Sequence, residues 1–415
     1  MHWDKLSLSE MNTQINHALG KNMNYKTNKI LGVPASYLDE KQFYDDAPFL
    51  ATAPFLKTLV ANPNHIGCHT LNDNAEPFFR GTQKIEQELI KLCAEEILGG
   101  DKDMQDGYVT SGGTEANIQA LWIYRNYFVS EYSAKNDEIA IVHSADSHYS
   151  LPKGANILNL QSIVLKVDDS TRMILQEELE RKLIKAQENG IKYFIVVMNL
   201  ATTMFGSVDD IERVTDYFKN NNLLFKLHVD GAFGGFIYPF TNYSSTYTFK
   251  NDCITSFTLD GHKMLQSPYG TGVFIIRKGF MKYVLTNEAN YIQGKDCTIC
   301  GSRSGANAVA LWMILKTHGS DGLKMKMKHL LNKSNSFSIK LKNLKIPYYH
   351  NPFINIVTIR AAYIPLQLAN KFSLIPDSHN GDPSWYKIVV MEHVKQEELD
   401  ELIMDLQVIT KLNIQ

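Results

Sequence analysis

The feature of this sequence that most constrains its fold is a regular alternation of two kinds of segment. Short runs rich in β-branched and apolar residues alternate with longer amphipathic stretches, an order typical of a mainly parallel sheet covered by helices. The runs predicted as strands are 138–143, 162–167, 193–200, 223–230, 253–260 and 271–278. We therefore expect an α/β fold.

The helices are indicated by their end signals. One is predicted over 171–190, after the capping-type residues "DDS" and before a glycine stop, and another over 208–222. Residues 81–100 form a third amphipathic stretch that stops at glycine. From about residue 305 a helix leads into two short apolar segments and a final helix near 396–406, which predicts a small α+β domain packed on the large one.

Composition narrows the class of ligand. The 415 residues carry a formal net charge of -2 and 44% of them are hydrophobic, so the chain is long enough to bury a deep site. It has no long Lys/Arg run, and the basic stretch "KMKMKH" predicts a solvated helix face. We expect a small-molecule ligand, and neither nucleic acid nor a membrane surface.

Localisation is predicted from the polar amino terminus. "MHWDKLSLSEMNTQ" lacks the profile of a signal peptide, and no uninterrupted apolar run has the length of a membrane span. The five cysteines are an odd number scattered over a large chain, which argues against a disulfide framework. We expect a cytoplasmic protein with free thiols.

The first chemical signal is "GYVTSGGTEAN", in which a short strand pattern gives way to Ser111, Gly112, Gly113 and Thr114 and then to a helix pattern. Glycines let the backbone approach a ligand closely, and amide and hydroxyl groups at a helix amino terminus suit a phosphate. The glycine spacing is not that of a dinucleotide fingerprint, and no Lys follows as in a nucleotide P-loop. The motif predicts a phosphate cup, with a plain glycine turn as the alternative.

The second signal is "HVDGAFGGF" at a strand end. The period of two places His228, Asp230 and Ala232 on one side if strand geometry persists. A carboxylate at the carboxyl end of such a strand lies where ligands bind, and the small Ala232 leaves room for a flat ring. The alternative for Asp230 is a helix cap or turn former.

The third signal is "SFTLDGHKM", a strand pattern that ends in His262 and Lys263. A lone Lys at a strand end is usually solvated. A cofactor with a phosphate, a ring nitrogen and an aldehyde would use the cup for the first, Asp230 for the second and Lys263 for the third. Pyridoxal 5'-phosphate has all three groups, and the combination predicts it as the cofactor.

These motifs, in their order along the chain, resemble a known family. "SGGTEAN", "HSADSHYS", "HVDGAFGGF", "SFTLDGHKM" and "GSRSGAN" are similar to motifs of the group II pyridoxal-phosphate-dependent amino acid decarboxylases, which belong to fold type I of the aspartate aminotransferase superfamily. The resemblance runs from about residue 60 to the carboxyl terminus. It looks closest to bacterial histidine decarboxylases and archaeal aspartate/tyrosine decarboxylases.

The resemblance implies an architecture. It implies a mainly parallel seven-stranded sheet and a homodimer whose active sites lie at the subunit interface. An amino-terminal segment over 1–60 would pack on the large domain or on the dimer partner. The large cofactor-binding domain would span 61–304, and the small carboxyl-terminal domain 305–415.

The resemblance also implies roles for individual residues. Lys263 would form the internal aldimine, and Asp230 would pair with the pyridinium nitrogen. His148 would stack on one face of the ring, with Ala232 against the other. The other residues implied for the cofactor are Gly113, Thr114, His262 and Asp260 at the phosphate, Thr202 near a ring substituent, and Ser302, which would reach a neighbouring subunit's phosphate. Ala201 stands where the family more often has Gly.

The implied reaction is loss of the α-carboxylate from an L-amino acid. Lys263, next to a cationic ring and shielded from water, should have a lowered pKa and act as a nucleophile. The amino acid displaces it to form the external aldimine, and the ring, kept protonated by Asp230, takes up the electrons as a quinonoid intermediate when carbon dioxide leaves. The proton that Cα then receives to give a primary amine would come from Lys263 or from Tyr291 in "NYIQGKDC", for which an ordinary tyrosine is the alternative.

Other reactions and several substrates stay open. A carbon-carbon lyase of the sphingosine-phosphate lyase type, a regulatory pseudoenzyme and an aminotransferase are the alternatives. Motif likeness favours histidine or an aromatic amino acid as substrate, and aspartate or glutamate remain open. Lys387 stands where many relatives have an Arg, and a Lys offers a carboxylate a point charge in place of a bidentate fork.

Two further motifs have the spacing of metal or redox sites. "HIGCH" contains His65, Cys68 and His69, but no distant second pair of ligands is evident, so no metal site is predicted. "CTIC" pairs Cys297 with Cys300 without a thioredoxin-like context, and free structural thiols are expected.

Overall fold

The computed structural model describes residues 7–19, 21, 28–33, 64–66, 80–242, 244–286 and 296–412. Its strands, in chain order, are β1 (Asn64–Ile66), β2 (Gln105–Thr110), β3 (Ile139–Ser144), β4 (Gln161–Leu165), β5 (Tyr193–Asn199), β6 (Leu224–Gly231), β7 (Ile254–Asp260), β8 (Gly272–Arg277), β9 (Ser302–Ser304), β10 (Tyr348–His350), β11 (Ile356–Arg360), β12 (Ile375–Pro376) and β13 (Trp385–Val389). Its α-helices are α1 (Leu8–Leu19), α2 (Arg80–Lys91, continued as a π-helix over Leu92–Ile97), α3 (Gly113–Tyr132), α4 (Ser150–Leu158), α5 (Gln176–Glu188), α6 (Ile211–Asn220), α7 (Tyr238–Thr241), α8 (Gly261–Met264), α9 (Gly305–Asn343), α10 (Leu366–Lys371) and α11 (Gln396–Leu412).

The central element is a seven-stranded sheet with the order β2-β8-β7-β6-β5-β3-β4. Strand β8 is antiparallel to both of its neighbours, and the other neighbouring pairs are parallel. The predicted mainly parallel seven-stranded sheet is therefore confirmed, and the six predicted strands occur with ends within two residues of the prediction. Because β2 and β7 both run opposite to β8, Thr110 and Asp260 both lie beside Gly272.

The large sheet is apolar on both faces because helices cover both. In β5, Phe194 and Val196 belong to one apolar cluster, while Ile195 and Val197 belong to another. Alternate residues thus face opposite sides, as the period of a strand requires. The buried sheet therefore supports the turns and side chains that follow the ends of its strands.

The helix predicted over 171–190 begins later than expected, at Gln176. The Asp168 carboxylate accepts hydrogen bonds from the backbone N–H groups of Ser170 and Thr171, at 3.0 and 2.7 Å. These bonds hold a turn, because short polar side chains can bond the local backbone in place of a helix. The predicted amino end of this helix was therefore wrong, whereas the other two helices predicted for this region occur as α2 and α6.

A second, antiparallel sheet lies near the carboxyl terminus, in the order β10-β11-β13-β12. Its apolar side chains form one cluster with those of α9, α10 and α11. The predicted small α+β domain is thus confirmed as an element of the fold, while the boundaries at 60/61 and 304/305 stay a prediction. Within the described ranges, no helix combines the length and the apolar character needed to cross a bilayer.

Candidate active site

The candidate site lies at the edge of the large sheet where β2, β6 and β7 all end, since these strands run in the same direction. Helix α3 begins just beyond β2, and α8 follows β7 directly. A cavity of about 290 Å³ opens between these ends. Ten of the predicted site residues line it: Ser111, Gly113, Thr114, His148, Thr202, Asp230, Ala232, Asp260, His262 and Lys263.

The cup at the start of α3 offers space and donors to a phosphate. The helix has a glycine at its N-cap, so no side chain caps its first amide groups from that position. Packing requires Gly113 to be glycine, because a Cβ there would lie 2.9 Å from Asp260 Oδ2. The Ser111 amide already donates to Glu115 Oε2, at 2.8 Å. Ser111 therefore has its hydroxyl, and not its amide, to offer a ligand.

Lys263 lies in the short helix α8, one turn beyond the end of β7. Its Nζ lies 3.1 Å from Asp260 Oδ2, and its side chain is 21% exposed, so the amine is shielded from bulk water but lines the cavity. His262 Nε2 lies 3.6 Å from the same oxygen, and its ring stacks on Tyr269 with 4.9 Å between centroids. Burial lowers the pKa of His262, although the Asp260 charge opposes the shift.

Asp230 and His148 bring a carboxylate and a flat ring to the cavity. The Asp230 carboxylate accepts hydrogen bonds from the backbone N–H of Ala232 (3.1 Å) and from Asn117 Nδ2 (2.8 Å). Nδ1 of His148 accepts a hydrogen bond from the backbone N–H of Ser150, at 3.2 Å. Burial lowers the pKa of His148, with the Asp230 charge opposing the shift, so its imidazole is a neutral ring suited to stacking.

Several cavity-lining residues were missed from the sequence, among them Asn117, Asn199 and Thr203. Asn199 Nδ2 donates to Ser147 Oγ (2.8 Å) and to Asp209 Oδ2 (2.7 Å). Burial raises the pKa of Asp209 to about 7, although its hydrogen bonds from Asn199 act in the other direction. The sequence signal for such residues is a polar side chain within or just after an apolar strand, because buried polar groups need partners.

The loop that carries Thr202 is a strained turn after β5. Ala201 has φ of +75°, in a region that costs a residue with a side chain about 1–2 kcal/mol. This conformation explains why the resembling family more often has Gly there. The Thr202 and Ser207 hydroxyls lie 2.7 Å apart and close the turn, and the Phe205 ring packs edge-on against Trp385 of β13, with 5.7 Å between centroids.

Two predicted site residues are not among the described residues that line this cavity. Ser302 lies in β9 and lines a separate cavity of about 160 Å³. Tyr291 lies outside the described residues, so its predicted role stays a prediction. Cys297 is buried and Cys300 is exposed, and the two thiols are not joined in a disulfide.

The "HIGCH" motif is described only in part. His65 Nδ1 lies 2.6 Å from Glu86 Oε2, and His65 Nε2 lies 2.9 Å from Thr82 Oγ1. Cys68 and His69 lie outside the described residues. In the part of the chain that the structure describes, no group of three or more His, Cys, Asp or Glu side chains is arranged to hold a metal ion.

These groups fit pyridoxal 5'-phosphate. The cup at Gly113 offers a helix amino terminus to the phosphate, Asp230 offers a carboxylate to a ring nitrogen, and Lys263 offers an amine to an aldehyde. All three line one cavity, and a Cβ at Gly112 would meet only His262 Cε1, at 3.6 Å, so the cup is open beside that glycine. Fold and site together define a lysine-dependent enzyme of the class that uses this cofactor.

Comparison with known proteins identifies the family. Residues 51–348 match the family described as the pyridoxal-dependent decarboxylase conserved domain. The chain belongs to this family and is a pyridoxal-phosphate-dependent amino acid decarboxylase. The predicted cofactor and reaction class are confirmed.

Individual relatives of the chain are also amino acid decarboxylases. The chain is 49% identical over 409 residues to a tryptophan decarboxylase of Clostridium sporogenes (strain ATCC 15579), covering 99% of this chain and 98% of the relative. It is 30% identical over 414 residues to an L-aspartate decarboxylase of Thermococcus kodakarensis, covering 98% of each chain. A crystal structure of L-methionine decarboxylase from Streptomyces sp. 590 matches with a TM-score of 0.76 at 18% identity, over 97% of this chain and 96% of that one. This structural likeness supports the fold alone, and the predicted resemblance to group II decarboxylases is confirmed by the sequence relatives.

Proposed function

We propose that the substrate is an aromatic L-amino acid, with tryptophan as the first candidate, and that the products are carbon dioxide and the aromatic amine. The observation that carries this proposal is the 49% identity with a tryptophan decarboxylase over almost the whole of both chains. The relative named for aspartate is 30% identical over a similar length. Parts of the chain that are distant in sequence form the pocket for the substrate side chain. The higher identity over nearly the whole chain therefore favours an aromatic substrate over aspartate.

The chain's own residues hold the cofactor in this proposal. When bound, the cofactor supplies an electron sink for the bond between Cα and the carboxylate. The cup and His262 would hold its phosphate, and Asp230 would meet its ring nitrogen, where a negative charge stabilises a protonated ring. His148 and Ala232 would contact its two faces, and Thr202 would lie near a ring substituent. Asp260 supports the phosphate side, because its Oδ2 lies within 4 Å of both His262 and Lys263.

Lys263 has two tasks in the proposal. Its amine would hold the cofactor through the aldehyde group, and the same amine, when it is not attached to the cofactor, could carry a proton to Cα. The carboxylate of Asp260, 3.1 Å from Nζ, orients the amine beside the cavity. Tyr291 stays the alternative proton donor.

Lys387 is the residue that we propose for the α-carboxylate of the substrate. It lies in β13 of the small sheet and is 6% exposed, and its Nζ donates to the backbone oxygen of Thr203, a residue that lines the cavity, at 3.2 Å. Burial lowers the pKa of Lys387 to about 8, and repulsion from Lys263 contributes to the shift. A partly desolvated cation beside the cavity attracts a carboxylate strongly.

The experiment that tests the proposed substrate is a screen for carbon dioxide release. The purified protein, loaded with pyridoxal 5'-phosphate, is assayed with each of the twenty common amino acids. We expect tryptophan or another aromatic amino acid to give the highest kcat/KM. A clear preference for histidine, aspartate or glutamate would overturn the aromatic assignment. Release from none of them, together with cleavage of a phosphorylated sphingoid base, would favour the lyase alternative.

We also propose a cytoplasmic homodimer. The family resemblance supports two-fold assembly, and the position of Ser302 in a cavity apart from Lys263 is consistent with contact to a second subunit. Sedimentation of the cofactor-loaded protein is expected to give the mass of a dimer, and a monomer alone would contradict the assembly.

A further inference from the structure

A chain of buried polar side chains leads from Asp230 back into the sheet. Asn117 Nδ2 lies 2.8 Å from Asp230 Oδ2, and Asn117 Oδ1 lies 3.0 Å from His228 Nε2. His228 Nδ1 lies 2.6 Å from Ser256 Oγ, which contacts the Tyr124 hydroxyl. Each of these residues is at most 6% exposed. We call the five residues the buried polar chain.

The inner half of the buried polar chain has one consistent hydrogen-bond direction. A carboxylate only accepts hydrogen bonds, so Asn117 turns its NH₂ group to Asp230 and its amide oxygen to His228. That oxygen also only accepts, so His228 Nε2 must carry a proton. Thr258 Oγ1 agrees with this: it donates to Asn117 Oδ1 at 2.7 Å, and at 3.0 Å it is placed to accept from His228 Nε2.

The outer half has the same direction. Burial lowers the pKa of His228 to about 4, so near neutral pH the ring is neutral and its Nδ1 has no proton. Nδ1 therefore accepts from Ser256, and Ser256, whose proton is then used, accepts from Tyr124. Burial raises the pKa of Tyr124, so its hydroxyl keeps the proton that it donates. Every donor points toward Asp230.

We propose that His228, neutral and protonated on Nε2, is a positioning residue that fixes the Asn117 amide and so holds the Asp230 carboxylate directed at the cofactor's ring nitrogen. The two hydrogen bonds recorded for Asp230 come from neutral groups, the Asn117 amide and the Ala232 N–H. The support therefore carries no positive charge of its own. The negative charge of Asp230 stays available to a protonated ring nitrogen.

This inference rests on the role proposed for Asp230 and is independent of which amino acid is the substrate. Asn117 Oδ1 accepts hydrogen bonds from two groups on the side away from Asp230, His228 Nε2 at 3.0 Å and Thr258 Oγ1 at 2.7 Å. The inference concerns His228 because its Nε2 also lies 3.0 Å from Thr258 Oγ1, so the ring contacts both of these partners. The aromatic ring of Phe274 lies 6.5 Å from the imidazole, centroid to centroid, and adds no charge. The charge of Asp230 acts on His228 and opposes the lowering of its pKa by burial.

The first test observes the proton on His228. ¹⁵N NMR of the protein with labelled histidine distinguishes the neutral tautomers from the charged ring, and the signal lost in His228→Gln identifies the residue. We expect the neutral form protonated on Nε2 between about pH 6 and 8, with and without bound cofactor. A charged ring, or a proton on Nδ1, would overturn the proposal.

The second test measures the dissociation constant of pyridoxal 5'-phosphate from the cofactor-free protein. His228→Leu removes one of the two donors to Asn117 Oδ1, leaving only that of Thr258, and is expected to weaken binding about tenfold. His228→Gln places an amide N–H near the position of Nε2, and binding should return to within about threefold of wild type. A merely structural histidine would give equal losses in both variants, which would contradict the positioning role.

His143→Leu is the matched control. His143 is another buried histidine of the large sheet, and its Nε2 lies 2.8 Å from Ser162 Oγ. Its leucine variant should bind the cofactor within about twofold of wild type, and circular dichroism checks that each variant is folded. Unchanged binding in His228→Leu but weakened binding in Asp230→Asn would overturn the positioning role alone. Unchanged binding in both would overturn the role proposed for Asp230.

Discussion

Replacing Lys263 by alanine is expected to lower kcat for decarboxylation about 10³-fold or more, because one amine both attaches the cofactor and returns a proton to Cα. The variant should still bind pyridoxal 5'-phosphate through the cup and Asp230, but without a covalent bond. Borohydride should therefore trap the cofactor on the wild-type protein and not on Lys263→Ala. Mass spectrometry of the treated protein locates the modified residue, and carbon dioxide release gives the rate.

A matched control for Lys263 is Lys278→Ala. Lys278 follows β8 at the opposite edge of the large sheet, and its Nζ donates to the backbone oxygen of Asp103, at 3.1 Å in an exposed position. This variant should keep wild-type activity within about twofold. Borohydride labelling of another lysine in wild type, or substantial activity in Lys263→Ala, would show that the attachment site has been assigned to the wrong residue.

The second large effect is expected at Lys387. Lys387→Met should lower kcat/KM about 10–100-fold, mainly through KM, because a charged hydrogen bond to the substrate carboxylate is lost. A lysine is cationic below its pKa, and burial lowers the pKa of Lys387 to about 8. Wild-type kcat/KM should therefore fall as the pH rises through about 8, because the free enzyme loses this charge. In Lys387→Arg, which stays cationic, that decline should move to higher pH.

Lys333→Met provides the comparison for Lys387. Lys333 is also a part-buried lysine whose pKa burial lowers, and its Nζ donates to the backbone oxygen of Val394. It lies on α9 and is not among the residues that line the cavity. Its methionine variant should change kcat/KM by no more than about twofold. An unchanged KM in Lys387→Met, or the same pH profile in Lys387→Arg and wild type, would exclude Lys387 as the carboxylate-binding residue.

The strands of the large sheet were predictable because a strand covered on both faces needs a continuous run of apolar residues. Short apolar runs of this kind, bounded by turn signals, favour buried strands. The start of α5 was not predictable, because Asp168 can either cap a helix or bond the adjacent turn, and only the surrounding fold selects the turn. The local sequence pattern therefore predicts that a helix or strand is present better than it predicts the residue at which the element begins or ends.

Some residues of the candidate site could also be predicted from the sequence, and others could not. Asp230 and Lys263 could be placed from sequence because each follows a strand, and strands that run in one direction deliver their carboxyl ends to one edge. The contact of His228 with Asn117 joins residues 111 positions apart, and that of Lys387 with Thr203 joins residues 184 positions apart. Such pairs depend on strand order and on the docking of the small sheet, which no local pattern specifies.

The ends of β2, β6 and β7 lie at one edge of the sheet. Mutations in the turns at that edge can therefore change the substrate specificity of the enzyme at little cost to folding. The short turn of residues 201–207 and the segment that follows β3 can vary in length and composition while the strands behind them keep their apolar sequence. A protein divided in this way is a suitable starting point for directed evolution, with libraries confined to those turns while His148, Thr202 and the strand residues are left constant.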